Sequence, residues 1–138
     1  MKIVLDTNIL IAAFISHGAC TELFEHCVRN HDVIGSEFIL KEFSKHMTGK
    51  FKVPAREVSQ TMRLLRSRIS VVVPVKLDKN VCRDPKDHHI LGGAIKGKCQ
   101  CIITGDKDLL ILKKFQGINI FSPRQFWEYE SKITADNP

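Results

Sequence analysis

The chain has 138 residues, 43% of them hydrophobic, which suits one domain with a sizeable core and excludes a disordered tail. Its net charge of +6 favours a polyanionic partner, while five scattered cysteines argue against a disulfide framework and for a reduced, cytoplasmic protein. No apolar run approaches the roughly eighteen residues of a transmembrane helix, and the N-terminus shows no signal-peptide pattern.

Lys2-Ile3-Val4-Leu5-Asp6-Thr7-Asn8 opens the chain. The unbroken run Ile3 to Leu5 predicts a strand buried on both faces, and a carboxylate follows at once. In open α/β sheets, ligands bind beyond the carboxyl ends of the strands, so Asp6 stands where chemistry is expected. Ile9 to Phe14 predicts a short buried helix broken by Gly18, and Thr21 to Arg29 the next one. Asp32 to Gly35 is a brief strand, after which Ser36 caps a helix with Phe38, Ile39, Phe43 and Met47 on its apolar stripe. Glu42 falls on or beside that stripe, where a glutamate is unexpected on burial grounds.

Gly49 ends this helix, and Pro54 opens another whose stripe is Val58, Met62, Leu65 and Ile69. Its outer face carries Arg56, Arg63, Arg66 and Arg68, either a solvated face or a surface for RNA. Ser70 to Val75 predicts a strand. Asp84-Pro85 then reads as a cap and first position of a helix reaching about Lys96, with Gly92 and Gly93 marking close approach to a neighbour and Gly97 expected as a left-handed stop. Cys101 to Thr104 is a second buried strand that runs directly into Gly105-Asp106. Lys107 to Lys114 predicts a short helix and Ile118 to Phe121 the last strand. Ser122-Pro123-Arg124-Gln125 starts a final helix with a capping box. The whole of 1–138 is expected to be one domain, with about 131–138 a frayed tail. Strands alternating with helices give the βαβ order of a parallel sheet.

Four acids stand apart from ordinary surface charge: Asp6 and Asp106 after buried strands, Glu42 beside an apolar stripe, and Asp87 in a first helical turn, with Asp84 and Asp108 next to two of them. Each alone has an ordinary reading as a cap, a dipole-complementing acid or a solvated side chain. Converging on one sheet rim, they would repel one another unless a divalent cation relieved them. Magnesium needs only one or two carboxylates per ion beside waters and phosphate oxygens, and a pair of such ions can promote phosphodiester cleavage. A basic exterior would meanwhile hold the nucleic-acid backbone, which explains an acidic cluster inside a basic chain.

From about residue 2 to residue 129 the chain resembles the PIN (PilT N-terminus) domains, and most of all the toxin components of toxin–antitoxin pairs, the VapC-like ribonucleases. The landmarks are Val4-Leu5-Asp6-Thr7-Asn8, Ser36 with Glu42, Arg83-Asp84-Pro85-Lys86-Asp87 with Ala94, Thr104-Gly105-Asp106-Lys107-Asp108-Leu109-Leu110, and Ser122-Pro123-Arg124-Gln125-Phe126. The resemblance implies a three-layer α/β/α sandwich around a parallel sheet. It implies a ribonuclease in which Asp6, Glu42, Asp87 and Asp106 bind Mg²⁺ or Mn²⁺, Asp84 and Asp108 are accessory, and Asn8 and Thr104 line the site. It further implies an RNA substrate, a cognate antitoxin and a homodimer. His88-His89, directly after Asp87, depart from the pattern expected there.

Rival readings are a zinc site built from Cys82, His88, His89, Cys99 and Cys101, although no CxxC pair is present, and a phosphatase using Asp6 as nucleophile, although Asn8 replaces the second aspartate such an enzyme needs. An RNA-processing nuclease outside toxin–antitoxin systems, or a non-catalytic module binding RNA or an antitoxin through the basic helix, also fits the composition.

Overall fold

A computed structural model describes residues 1–136. The chain runs β1 (Lys2–Leu5), α1 (Thr7–Ile15), α2 (Ala19–Asn30), β2 (Asp32–Gly35), α3 (Glu37–Thr48), α4 (Ala55–Arg68) and β3 (Ile69–Val71). It continues with α5 (Pro85–Lys96), β4 (Cys101–Ile103), α6 (Lys107–Leu110), β5 (Lys114–Phe115), β6 (Ile118–Phe121) and α7 (Pro123–Asp136). The six strands form one sheet in the order β3-β2-β1-β4-β6-β5, flanked by helices in the three-layer α/β/α arrangement.

β1 lies at the centre because Ile3, Val4 and Leu5 can be buried on both sides; all three are at most 1% exposed. It pairs in parallel with β2 on one edge (Val4 opposite Ile34) and with β4 on the other (Val4 opposite Ile102). The chain therefore moves outward in opposite directions from β1, and the reversal leaves a crevice beyond the carboxyl ends of β1 and β4. α5 packs over β1, β2 and β4, and its Gly92 lets it approach the segment after β3. A Cβ there would lie 2.3 Å from the Val75 carbonyl oxygen, while the Val75 amide donates to the Gly92 carbonyl at 3.2 Å.

The sheet is parallel through its centre, as expected, and adds one antiparallel edge: Lys114–Phe115 forms a hairpin with β6, closed by Gln116 and Gly117, both at positive φ (48° and 82°), as a type I′ turn requires. Several expected element bounds need correction. That hairpin is why α6 stops at Leu110 instead of reaching Lys114. Ile69 leaves the helical stripe to begin β3, and β3 ends at Val71. Gly97 is right-handed (φ −78°), and the positive φ falls on Lys98 (53°). Gly97 is needed for space instead, since a Cβ would meet Ile34 Cγ2 at 2.8 Å.

The expected frayed stretch is helical as far as Asp136; residues 137 and 138 lie outside the described residues. α7 is held by Glu130, whose two carboxylate oxygens accept from His26 Nε2 and His31 Nε2, each at 2.6 Å. All five cysteines are free, with Cys27, Cys99 and Cys101 buried. No single described helix is long and apolar enough to cross a membrane.

Candidate active site

Ser36 follows β2 and caps α3, accepting from the Ile39 amide, which sets the phase of the helix. Ile39, Leu40, Phe43 and Met47 then face the core, and Glu42 projects from the edge of that stripe with its side chain 17% exposed. Asp84 caps α5 by accepting from the Lys86 amide at 3.0 Å, and Pro85 follows without an amide to satisfy. One turn in, Asp87 points inward and is only 4% exposed. Asp6 caps α1 by accepting from the Thr7 amide at 2.7 Å, and Asp106 caps α6 by accepting from the Asp108 amide at 2.9 Å.

These elements meet in a cavity of about 170 Å³ at the crevice. Asp6, Glu42, Asp84, Asp87 and Asp106 line it, together with Thr7, Asn8, Phe38, Lys86 and Ile90. All four acids of the expected quartet and one of the two accessory acids are thus brought together. Asp108 is not among them; it is exposed and opens onto a neighbouring hollow beside Lys79, Cys82 and Arg83. Asn8 lines the cavity from an exposed position. Thr104 does not line it but is fully buried behind it: its hydroxyl donates to Asp6 Oδ2 at 2.6 Å and accepts from the Asp106 amide at 3.0 Å, tying two acids together.

The electrostatics are those of crowded carboxylates. Burial, reinforced by the charges of Asp106, Asp84, Asp6 and Asp108, pushes the Asp87 carboxyl up to about 7. Burial also raises Asp6, against the hydrogen bonds from Thr104 and the Thr7 amide that favour its charge. At the rim, Lys86 Nζ stands 3.7 Å from Glu42 Oε2, and His46 Nε2 lies 3.4 Å from the same oxygen. Asp87 Oδ2 is buried without any hydrogen-bond partner among the described residues. A buried carboxylate oxygen lacking a donor is costly, by roughly 1–3 kcal/mol or more. A hard divalent cation taking oxygen ligands is the chemistry that would satisfy it. The donor set fits such an ion: five carboxylates, no thiolate and no imidazole face the cavity.

Residue pattern alone passed over Thr7 and Phe38 as lining residues, although Phe38 sits one helical turn ahead of Glu42 and could have been placed by that spacing. The proposed zinc ligands disperse: His88 Nε2 lies 3.3 Å from the Cys82 carbonyl, His89 stacks on Phe38, and Cys99 and Cys101 are buried. Of the outer arginines, Arg66 is engaged by Glu37 through two hydrogen bonds of 2.8 and 2.9 Å.

Residues 2–108 match the family profile described as PIN domain. The chain belongs to the PIN domain family. It is 33% identical to protein MJ1680 of Methanocaldococcus jannaschii, itself uncharacterised, over 98% of this chain and 95% of that one. Solved structures share the PIN fold at low identity. The VapBC-1 structure from nontypeable Haemophilus influenzae superposes with a TM-score of 0.62 at 18% identity, covering 90% of this chain and 99% of that one. VapBC2 from Rickettsia felis, bound to a DNA fragment from its promoter, gives 0.60 at 17% identity, covering 87% and 97%. DNA-bound VapBC from Salmonella typhimurium gives 0.62 at 18%, covering 89% and 98%.

Proposed function

We propose that this PIN domain is a divalent-metal-dependent endoribonuclease, the toxin of a toxin–antitoxin pair, acting in the cytoplasm. The observation that carries the reading is Asp87 Oδ2, a buried carboxylate oxygen without a partner at the centre of five acids. A purely structural acid cluster would place a donor there. Membership of the PIN family and the likeness to VapBC structures support the toxin assignment and a cognate antitoxin, and we extend the proposal to a homodimer.

Asp6, Glu42, Asp87 and Asp106 would hold Mg²⁺ or Mn²⁺, with Asp84 accessory. When bound, the ion polarises the scissile phosphate and lowers the pKa of an attacking water. The chain's own residues set the stage for that attack. Thr104 fixes Asp6 and, through its contact with the Asp106 amide, the entry to α6. Lys86 balances Glu42 at the rim and offers the backbone a cation. Asp87, whose carboxyl is raised to about 7 by burial and the neighbouring acids, would hold the ion in its ionised form. No serine, cysteine or histidine nucleophile is required.

The test is cleavage of an end-labelled RNA pool with Mg²⁺ or Mn²⁺ by wild type and Asp6→Asn, both shown to be folded. Cleavage by the wild type alone, abolished by EDTA, is expected. Equal cleavage by both proteins, or full activity in excess EDTA, would refute the metal mechanism.

A further inference from the structure

The rim of the cavity carries an aromatic pair that the acids do not use. Phe38 lines the cavity from α3, four residues before Glu42. His89 stands on α5, two residues after Asp87. Their ring centroids are 3.9 Å apart and their planes 6° from parallel. Every other aromatic contact among the described residues is tilted or edge-on, with planes 41° to 86° apart. Phe38 is half-buried and stacks on one face of His89, and His89 as a residue is exposed.

We propose that the Phe38–His89 stack is a nucleobase subsite: an unpaired base stacks on the face of His89 away from Phe38 while the adjoining phosphodiester lies over the acids. The inference rests on the RNA reading above and deepens it by naming the residues that would hold one unpaired base beside the cut. Protein rings of Phe, Tyr, Trp or His bind single strands by stacking on splayed bases, because every base has a π-face. Base-paired RNA has no free face to offer such a shelf. The surroundings suit a strand threading past: Lys86 is exposed at the rim, and Arg83 is exposed just before the Asp84 cap. The bond between Lys86 and Glu42 is long enough, at 3.7 Å, to yield to a phosphate.

A different role for the pair is a bridge holding α3 to α5, and so Glu42 near Asp87. The two roles differ in their dependence on the base. Short single-stranded oligoribonucleotides carrying 2-aminopurine at one position each are titrated with the protein in EDTA and again in Ca²⁺, with fluorescence and affinity as readouts. Wild type should quench the probe at one or two adjacent positions. His89→Ala should lose that quenching and bind ~5- to 100-fold more weakly. His89→Tyr should restore both. A strand abasic at that position should bind wild type and His89→Ala alike.

Unchanged quenching by His89→Ala, or equal weakening for intact and abasic strands, overturns the subsite and leaves the RNA reading standing. Failure of wild type to bind any single strand in either condition overturns the RNA reading and the subsite together.

Discussion

Asp87→Asn should stabilise the metal-free protein at alkaline pH while destroying its response to metal. The Asp87 carboxyl is pushed from 3.8 to about 7, so in the fold its ionised form is disfavoured by about 4 kcal/mol. The sign follows from which state releases its proton first. Below about pH 4 the group is protonated in both states and no penalty exists. Between pH 4 and 7 the unfolded chain ionises while the folded one does not, and stability falls. Above pH 7 the loss is complete. Asparagine cannot ionise, but its buried amide lacks partners and returns about 1–2 kcal/mol of the gain. The net advantage at pH 8 is about 2 kcal/mol, or roughly 5–10 °C in melting temperature for a domain of this size. Melting of both proteins in EDTA from pH 4 to 8 gives the difference curve. It should start at or below zero at pH 4 and become positive through neutrality. Added Mn²⁺ should then raise the wild type with the logarithm of concentration and leave the variant nearly unmoved. A difference that stays flat with pH would refute the placement of an uncompensated carboxylate at this position.

Three further outcomes follow from the geometry. Gly92→Ala should lower stability by about 1–3 kcal/mol because its Cβ would collide with the Val75 backbone, whereas Gly93→Ala, with nothing within 4 Å, should raise it by roughly 0.5–1 kcal/mol; denaturant melts of the pair read the contrast within one helix. Thr104→Val removes the donor that favours charge on Asp6, so its carboxyl should rise further. The acid limb of the pH–rate profile for RNA cleavage should move to higher pH, with ~10- to 100-fold lower activity. Glu130→Gln puts an NH2 donor where one of the two carboxylate oxygens accepts from a histidine Nε2–H, and should cost about 1–3 kcal/mol in thermal melts. Because His31 directly precedes β2, at the end of the sheet away from the cavity, RNA cleavage below the melting range should be unchanged.

What could be read from the sequence was what local pattern encodes. Ile3 to Leu5 and Cys101 to Ile103 are apolar runs short enough for buried strands, and the acids after them were placed at the right rim by the ends of those strands alone. Contacts between distant residues left no such trace. The Phe38–His89 stack joins two helices, and the Glu130 clasp joins α7 to the end of α2; no period or cap announces either. The β5–β6 hairpin does carry a signal, Gln116-Gly117 between Phe115 and Ile118, but its first strand is only Lys114–Phe115, too short to show an alternating pattern, and Lys114 is taken into the expected helix.

The acids themselves show why a cap and a functional carboxylate are difficult to separate by sequence, and why they need not be separated. A carboxylate has two oxygens. Asp6, Asp84 and Asp106 each use Oδ1 to accept a backbone amide at the start of a helix, and that bond fixes the side chain at the crevice. The spacing that makes a good cap is therefore also a way of positioning a carboxylate at a strand exit. Glu42 caps nothing but stays partly exposed beside Lys86, and Asp87 makes the distinction visible. It sits a turn beyond the cap, is nearly inaccessible, and its Oδ2 meets no donor among the described residues. Capping accounts for three of the acids in the cavity without requiring a ligand; it cannot account for this one.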